Sequence, residues 1–331
     1  MSNKLKVGIF GIGHNHAAEA IAALKRRDDV TIVGLFDPDE LMLLKRLGER
    51  PDVYSNMPVM SKDMLFGSGL DIAMVESSVP YLVPTALECA EHGLHVHMDK
   101  PAGTDLPLYK KLLDTLEKNR RVFQTGYMYR YNAGVRYLTD RVEKGVLGRI
   151  YNITAQMSTK HPVWFKKQLL SYGVKSPVMF IFGGHLIDLC LRFKGEPQKL
   201  DVFGARSGDD GIDFEDSALA VMSYADGFAT VKVSSSEING WGMREFSVYG
   251  ENGTISLRPL ESALEVRETL LQEHSSWKDI YRKIDIKEEG RYDLMMKELV
   301  EAVRSDIHYN IDFKHEYMLQ KLTLQACGYD V

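Results

Sequence analysis

The chain has 331 residues, 44% hydrophobic and 26% charged, with a formal net charge of −5. That is globular composition with length enough for about two domains, because single cores stop growing below about 250–300 residues. The mild acidity, with no basic run longer than Lys25-Arg26-Arg27, argues against a general nucleic-acid or membrane-surface binder, since no positive field recruits phosphates.

In chain order, residues 7–10, 30–36, 72–75 and 95–98 are short strand-like runs, and residues 17–27, 40–47, 85–91 and 108–119 carry helical patterning between them. Near-continuous apolar strands alternating with amphipathic helices predict a doubly wound parallel sheet covered on both faces. After Gly126 the pattern changes. A helix over 134–144 leads to a strand over 150–158, a Gly/Pro-punctuated stretch over 160–177 and an apolar helix over 178–193. Strand-like runs over 217–224, 228–235 and 245–249 follow, with Asn252-Gly253 as a hairpin turn, since both residues tolerate positive φ. Helices over 292–305 and 313–327 close the pattern. The expected fold is α/β: a dinucleotide-binding domain over 1–125 and a second α/β domain over 126–331 with a large, mostly antiparallel open sheet.

No run of about 18 apolar residues occurs and the start shows no apolar core with a cleavage site, so a cytoplasmic location is expected. Cys89, Cys190 and Cys327 lie far apart and read as small buried hydrophobes.

Gly11-Ile12-Gly13-His14-Asn15-His16 falls where the first strand turns into the first helix, the context of a dinucleotide fingerprint. The first glycine permits a tight turn and the second a close approach to pyrophosphate, with His16 at the third small position. Asp37, at the end of the second strand, is placed to accept hydrogen bonds from ribose hydroxyls and repel a 2′-phosphate, which favours NAD(H) over NADP(H). The alternatives are a plain glycine turn and a helix cap at Asp37. His14-x-His16 and His95-x-His97 also raise a metal reading on the model of barrel hydrolases. Eight βα units are absent from the pattern, so no metal is expected.

Gly93-Leu-His-Val-His-Met-Asp-Lys-Pro101, Gly126-Tyr-Met-Tyr-Arg-Tyr-Asn132, Gly145-Val-Leu-Gly148 and Gly183-Gly-His-Leu-Ile-Asp188 in this order resemble the Gfo/Idh/MocA family, named for glucose–fructose oxidoreductase and inositol dehydrogenase. The resemblance implies a Rossmann domain followed by a larger α/β domain whose open sheet face serves oligomer contacts, here a homodimer or homotetramer. It makes Lys100 and His185 the catalytic pair. Hydride transfer from a secondary alcohol requires the hydroxyl proton to leave, and an ammonium at the carboxyl end of a parallel strand can stabilise the developing alkoxide. His185 would relay the proton. Gly11, Gly13, His14, Asn15, His16, Asp37, Ser77, Ser78, Asp99 and Lys100 are the expected cofactor contacts. Tyr129, Arg130, His161, Trp164 and Asp188 are the expected substrate contacts.

The chain departs from the family at several places. The family's Glu-Lys-Pro is Asp99-Lys100-Pro101 here. The inositol-dehydrogenase branch has an aspartate four residues before the histidine, and here that position is Ile181; the Thr-Pro that commonly ends the fourth strand is Ser77-Ser78, and the histidine expected a few residues later falls at Leu82. The expected function is hydride transfer between NAD(H), with NADP(H) the second choice, and a sugar, cyclitol or related polyol. An NAD-dependent glycosidase and a non-enzymatic dinucleotide-sensing regulator are the alternatives on the same fold.

Overall fold

A computed structural model describes residues 4–208, 210–261, 264–273, 281–287, 290, 292–305 and 313–331. The chain divides into two compact units, one formed by Met1–Met128 with Gly290–Tyr317, the other by Tyr129–Glu289 with Met318–Val331.

The first unit runs β1 (Leu5–Phe10), α1 (Ala17–Lys25), β2 (Val30–Phe36), α2 (Glu40–Glu49), α3 (Pro51–Tyr54), α4 (Lys62–Phe66), β3 (Ile72–Val75), α5 (Leu82–Glu91), β4 (His95–Met98), α6 (Leu106–Lys118) and β5 (Phe123–Thr125). All five strands pair parallel in the order β2-β1-β3-β4-β5. β3 is buried at every position, which explains why it reads as a continuous apolar run rather than an alternating one. α6 buries Leu106, Tyr109, Leu112, Leu113 and Leu116 along one face and starts at Asp105, whose carboxylate accepts the Leu108 N–H at 2.8 Å; such caps contribute about 1 kcal/mol. The strand order reverses between β1 and β3, and the loops leaving these strands open the crevice where such sheets take ligands.

The second unit contains α7 (Ala133–Glu143), β6 (Ile150–Ser158), α8 (Val163–Ser171), a π-helical turn at Met179–Gly183 and α9 (Gly184–Lys194). Seven strands follow: β7 (Lys199–Ala205), β8 (Ser217–Tyr224), β9 (Gly227–Ser234), β10 (Glu245–Gly250), β11 (Gly253–Leu257), β12 (Val266–Leu270) and β13 (Arg282–Ile284). With β6 they form one eight-stranded sheet, β13-β12-β11-β10-β6-β9-β8-β7, in which only β6 and β9 pair parallel. Ile153, Ala155 and Met157 of β6, Ala229, Val231 and Val233 of β9, and Phe246 and Val248 of β10 are buried, while alternate residues of β8 and β9 are part-exposed. This is the period-two signature of a sheet covered on one side.

Two local expectations change. The predicted helix over 178–193 begins with a π turn before α9, and the predicted loop over 160–177 contains α8. The hairpin forms, but Gly250 pairs with Gly253, so the loop is Glu251-Asn252 and not Asn252-Gly253. α10 (Asp293–Ser305) lies in the first unit, and the division falls within α11 (Phe313–Ala326). Among the described residues no helix is long and apolar enough to cross a membrane. Cys89, Cys190 and Cys327 are buried and unbridged, and burial pushes all three thiols up, away from the reactive thiolate.

Candidate functional site

In the first unit, the loop after β1 packs against the loop after β3. Gly11 has φ +82° and a Cβ there would stand 2.3 Å from Ser77 Oγ; a Cβ on Gly13 would stand 2.3 Å from Ser78 Oγ. Both glycines are therefore required by the approach of the two loops, independently of any ligand. Ser77 Oγ donates to Phe10 O at 3.0 Å, and the His14 N–H donates to Glu76 O at 2.8 Å. The seam is thus stitched from both sides.

Asp37 is buried at the end of β2. Its Oδ2 accepts the Ile12 N–H at 2.7 Å and its Oδ1 the Asp39 N–H at 3.0 Å. Burial raises its pKa and the two backbone donors oppose this. The residue capping α2 is Asp39, whose side chain accepts the Met42 N–H, so the helix-cap alternative for Asp37 falls away. Each carboxylate oxygen of Asp37 retains accepting capacity, as a ribose diol requires. Arg46 of α2 was not singled out from the sequence. Its Nη2 donates to Gly13 O at 3.1 Å and Asn15 Oδ1 at 2.8 Å, pinning the loop between β1 and α1. A lone arginine in an amphipathic helix gives no sequence signal of that role.

Asp99 and Lys100 follow β4. Lys100 is only 3% exposed, and its backbone N–H donates to Asp99 Oδ1 at 2.7 Å. The other oxygen, Asp99 Oδ2, lies 2.8 Å from His14 Nδ1 and 3.3 Å from His16 Nδ1. Burial opposes ionisation of Asp99, but His14 and then His16 outweigh it and hold the carboxyl well below its ordinary range. Burial lowers His16 to about 4 although Asp99 pulls the other way. Behind Asp99 stands Glu76, fully buried and raised well above the carboxylate range by burial and then by the Asp99 charge. The second histidine pair faces elsewhere. His97 Nδ1 is 2.8 Å from Gln124 Oε1 and its Nε2 is 3.3 Å from Glu76 Oε1, while His95 Nδ1 accepts the Val122 N–H at 2.9 Å.

In the second unit, His185 is buried on α9 and meets the ring of Tyr129 edge-on at 4.9 Å. The Tyr129 hydroxyl donates to Glu261, which also pairs with Arg244. The Arg244 guanidinium lies over the Trp241 ring, its Cζ 3.6 Å from the centroid, within cation–π range. Arg130 and Asp188 form a two-pronged buried ion pair, Nε to Oδ2 at 2.8 Å and Nη2 to Oδ1 at 2.7 Å. His161 stacks on Phe182, centroids 5.2 Å apart and planes 5° apart; burial, with Arg244 and Lys166 assisting, lowers it to about 4. Trp164 is 64% exposed on α8 and touches Phe165 edge-on. Sequence reasoning missed Arg244 and Glu261, which lie far along the chain from the Tyr129 they contact, and Trp241, which packs on Arg244. It also missed Lys166, a buried ammonium 2.6 Å from Asp210 Oδ2 and 3.1 Å from Ser236 Oγ. Ile181, at the position of the family's aspartate, lies in the π turn, so helical spacing of four does not relate it to His185 as it would in an α-helix.

A parallel sheet with a glycine loop at its switch point and an acid at the end of β2 is a dinucleotide fold. A model of the oxidoreductase family with an NAD-binding Rossmann fold matches residues 5–127, and a model of the GFO/IDH/MocA C-terminal domain matches residues 135–256. The chain belongs to the Gfo/Idh/MocA oxidoreductase family. Within that family it is 27% identical over 202 residues to D-glucoside 3-dehydrogenase of Escherichia coli, a match covering 59% of this chain and 56% of that protein. The chain thus spans about half the length of this curated relative. It is 22% identical over 263 residues to myo-inositol 2-dehydrogenase of Thermotoga maritima, covering 76% and 74%. Among solved structures, UDP-N-acetylglucosamine 3-dehydrogenase GnnA from Acidithiobacillus ferrooxidans superposes with a TM-score of 0.79 at 16% identity, covering 98% of this chain and 96% of that one. The Gfo/Idh/MocA relatives named here are dehydrogenases of sugars and an inositol.

Proposed function

We propose that this chain is an NAD(H)-dependent dehydrogenase acting on a CH–OH group of a sugar, cyclitol or related polyol. The observation that carries the reading is Lys100: a buried lysine at the carboxyl end of a parallel strand, its backbone held by Asp99, in the family's motif position. The residues of the first unit fit a dinucleotide. The loop through Gly11 and Gly13 leads to α1, whose first turn has no side-chain cap to compete with a phosphate, and Asp37 offers a buried carboxylate to a ribose. The dinucleotide supplies the hydride acceptor or donor. Lys100 holds the substrate oxygen and stabilises its negative charge as the proton leaves, and His185 takes or returns that proton. Tyr129, His161, Trp164, Arg130 and Asp188 shape the substrate side of the second unit, the last two as a fixed ion pair that orients neighbours.

Titration with NAD(H) and NADP(H), followed by assay against a panel of polyols and sugar lactones, tests this. NAD(H) is expected to bind more tightly because Asp37 repels a 2′-phosphate. Lys100→Ala is expected to leave NAD binding within a few-fold and lower turnover by ~10²-fold or more. Loss of cofactor binding with an unchanged rate on the bound fraction would make Lys100 a cofactor ligand only. The replacement of the family's acid by Ile181 favours one second reading, a dinucleotide-responsive regulator, which binds NAD and turns over none of the panel.

A further inference from the structure

His14, His16 and Asp99 converge on one point at the carboxyl end of the first unit's sheet. The two Nδ1 atoms lie 2.8 and 3.3 Å from the same oxygen, Asp99 Oδ2, and all three atoms are within 4.8 Å of one another. The imidazoles approach from different directions, with 74° between their planes and 4.8 Å between centroids. Each is fixed by its backbone: His14 through its N–H to Glu76 O, and His16 as the residue from which α1 starts.

Hydrogen bonding accounts for this convergence poorly. His14 Nδ1 is 3.3 Å from the His16 backbone N–H, which needs a lone pair there, and 2.8 Å from a carboxylate oxygen, which needs a proton there. One ring nitrogen offers one or the other. His16 Nδ1 is buried and makes no hydrogen bond of good geometry, and neither does either carboxyl oxygen of Glu76, which is fully buried beside Asp99 with Oε1 3.3 Å from His97 Nε2. Lone pairs of two imidazoles and a carboxylate directed at one point, with a second buried acid behind, are what a small cation satisfies.

We propose that His14, His16 and Asp99 bind a divalent transition-metal cation of the zinc or cobalt class, which accepts mixed imidazole and carboxylate ligands. Glu76 acts behind the ligands, orienting Asp99. Three protein ligands leave a coordination position open, for water or for an anionic oxygen of a bound molecule. Because the histidines lie on the loop assigned above to the pyrophosphate, a phosphate oxygen fills that position when a dinucleotide is bound; this clause alone rests on the proposed function.

Full-length protein freed of metal by chelation and dialysis is titrated with Co(II), and then with Zn(II) as competitor, by absorption and calorimetry. One Co(II) per chain is expected, with visible absorption bands that Zn(II) abolishes. His16→Ala, whose side chain is 25% exposed and so least tied to the core, is expected to weaken Co(II) binding by about tenfold or more, its fold checked by circular dichroism. Cobalt-edge anomalous scattering from crystals of the unmutated protein serves if that variant does not fold, with the peak expected among these three side chains. No Co(II) binding, binding unchanged by His16→Ala in a folded protein, or a peak elsewhere overturns the site. NAD titration of both the metal-free and the cobalt-loaded protein keeps the two readings apart: cobalt bound with no NAD affinity in either form sinks the dehydrogenase and leaves the metal site standing, and NAD affinity with no cobalt binding does the opposite.

Discussion

Two buried residues in the second unit carry measurable consequences. Arg130 and Asp188 satisfy each other with two short hydrogen bonds and both are nearly excluded from water. Removing one charge takes from the other its two-pronged partner in a low-dielectric interior, and breaking a buried pair in this way typically costs ~3–5 kcal/mol. Asp188→Asn is therefore expected to lower the denaturation midpoint markedly, while Arg130→Met with Asp188→Leu is expected to recover much of the loss; urea melts of the three variants decide it. His161 has its folded pKa lowered from 6.5 to about 4. Between these values the unfolded chain binds a proton that the folded chain does not, so its contribution to stability is complete above 6.5, falls as the pH falls through the window, and levels off below about 4. His161→Phe, which keeps the stack on Phe182, is expected to flatten part of that slope in melting temperature against pH. An unchanged slope would assign the acid sensitivity to other histidines.

At the scale of elements, what was legible and what was not have separate physical causes. The parallel strands of the first unit could be read because burial on both faces leaves uninterrupted apolar runs, and α6 because its leucines repeat at helical spacing. α8 was hidden because His161-Pro162 and Gly173 punctuate its neighbourhood, yet Pro162 sits at the helix start, where a missing N–H is harmless. The hairpin residues were legible as a turn, but register is set by strand pairing and not by the turn residues alone. The candidate loop could be placed from Gly11 and Gly13; Glu261 and Arg244 could not, because a contact across more than a hundred residues of separation leaves no local pattern. The register of β7, β8 and β9 puts Phe203, Leu219, Val221 and Phe228 on the uncovered face, with Phe203 60% and Phe228 46% exposed. If this face joins copies of the chain, as we propose, Phe203→Glu combined with Phe228→Glu is expected to shift the sedimenting species toward monomer, with NAD binding retained. A species unchanged in size would clear the sheet of that role.

On the scale of the whole chain, the first unit is not contiguous. Its sheet ends in β5, where Gln124 Nε2 donates to Met295 O at 3.0 Å and Thr125 Oγ1 lies 3.1 and 3.0 Å from the two Glu316 carboxylate oxygens. Near α1, Arg26 pairs with Asp293 and Arg304 donates to Asp29 O. α10 also buries Met295, Met296, Leu299 and Val300. During synthesis, the nascent first unit must therefore wait for a segment made more than a hundred and fifty residues later, so vectorial folding of domains from the amino end is interrupted here. A nascent chain stalled after residue 128 is expected to hold the dinucleotide fold only loosely, with fast amide exchange in β5 and α1. Supplying residues 290–317 as a fused segment is expected to slow that exchange, whereas protection already complete in the 1–128 fragment would show that the late segment merely covers a finished domain.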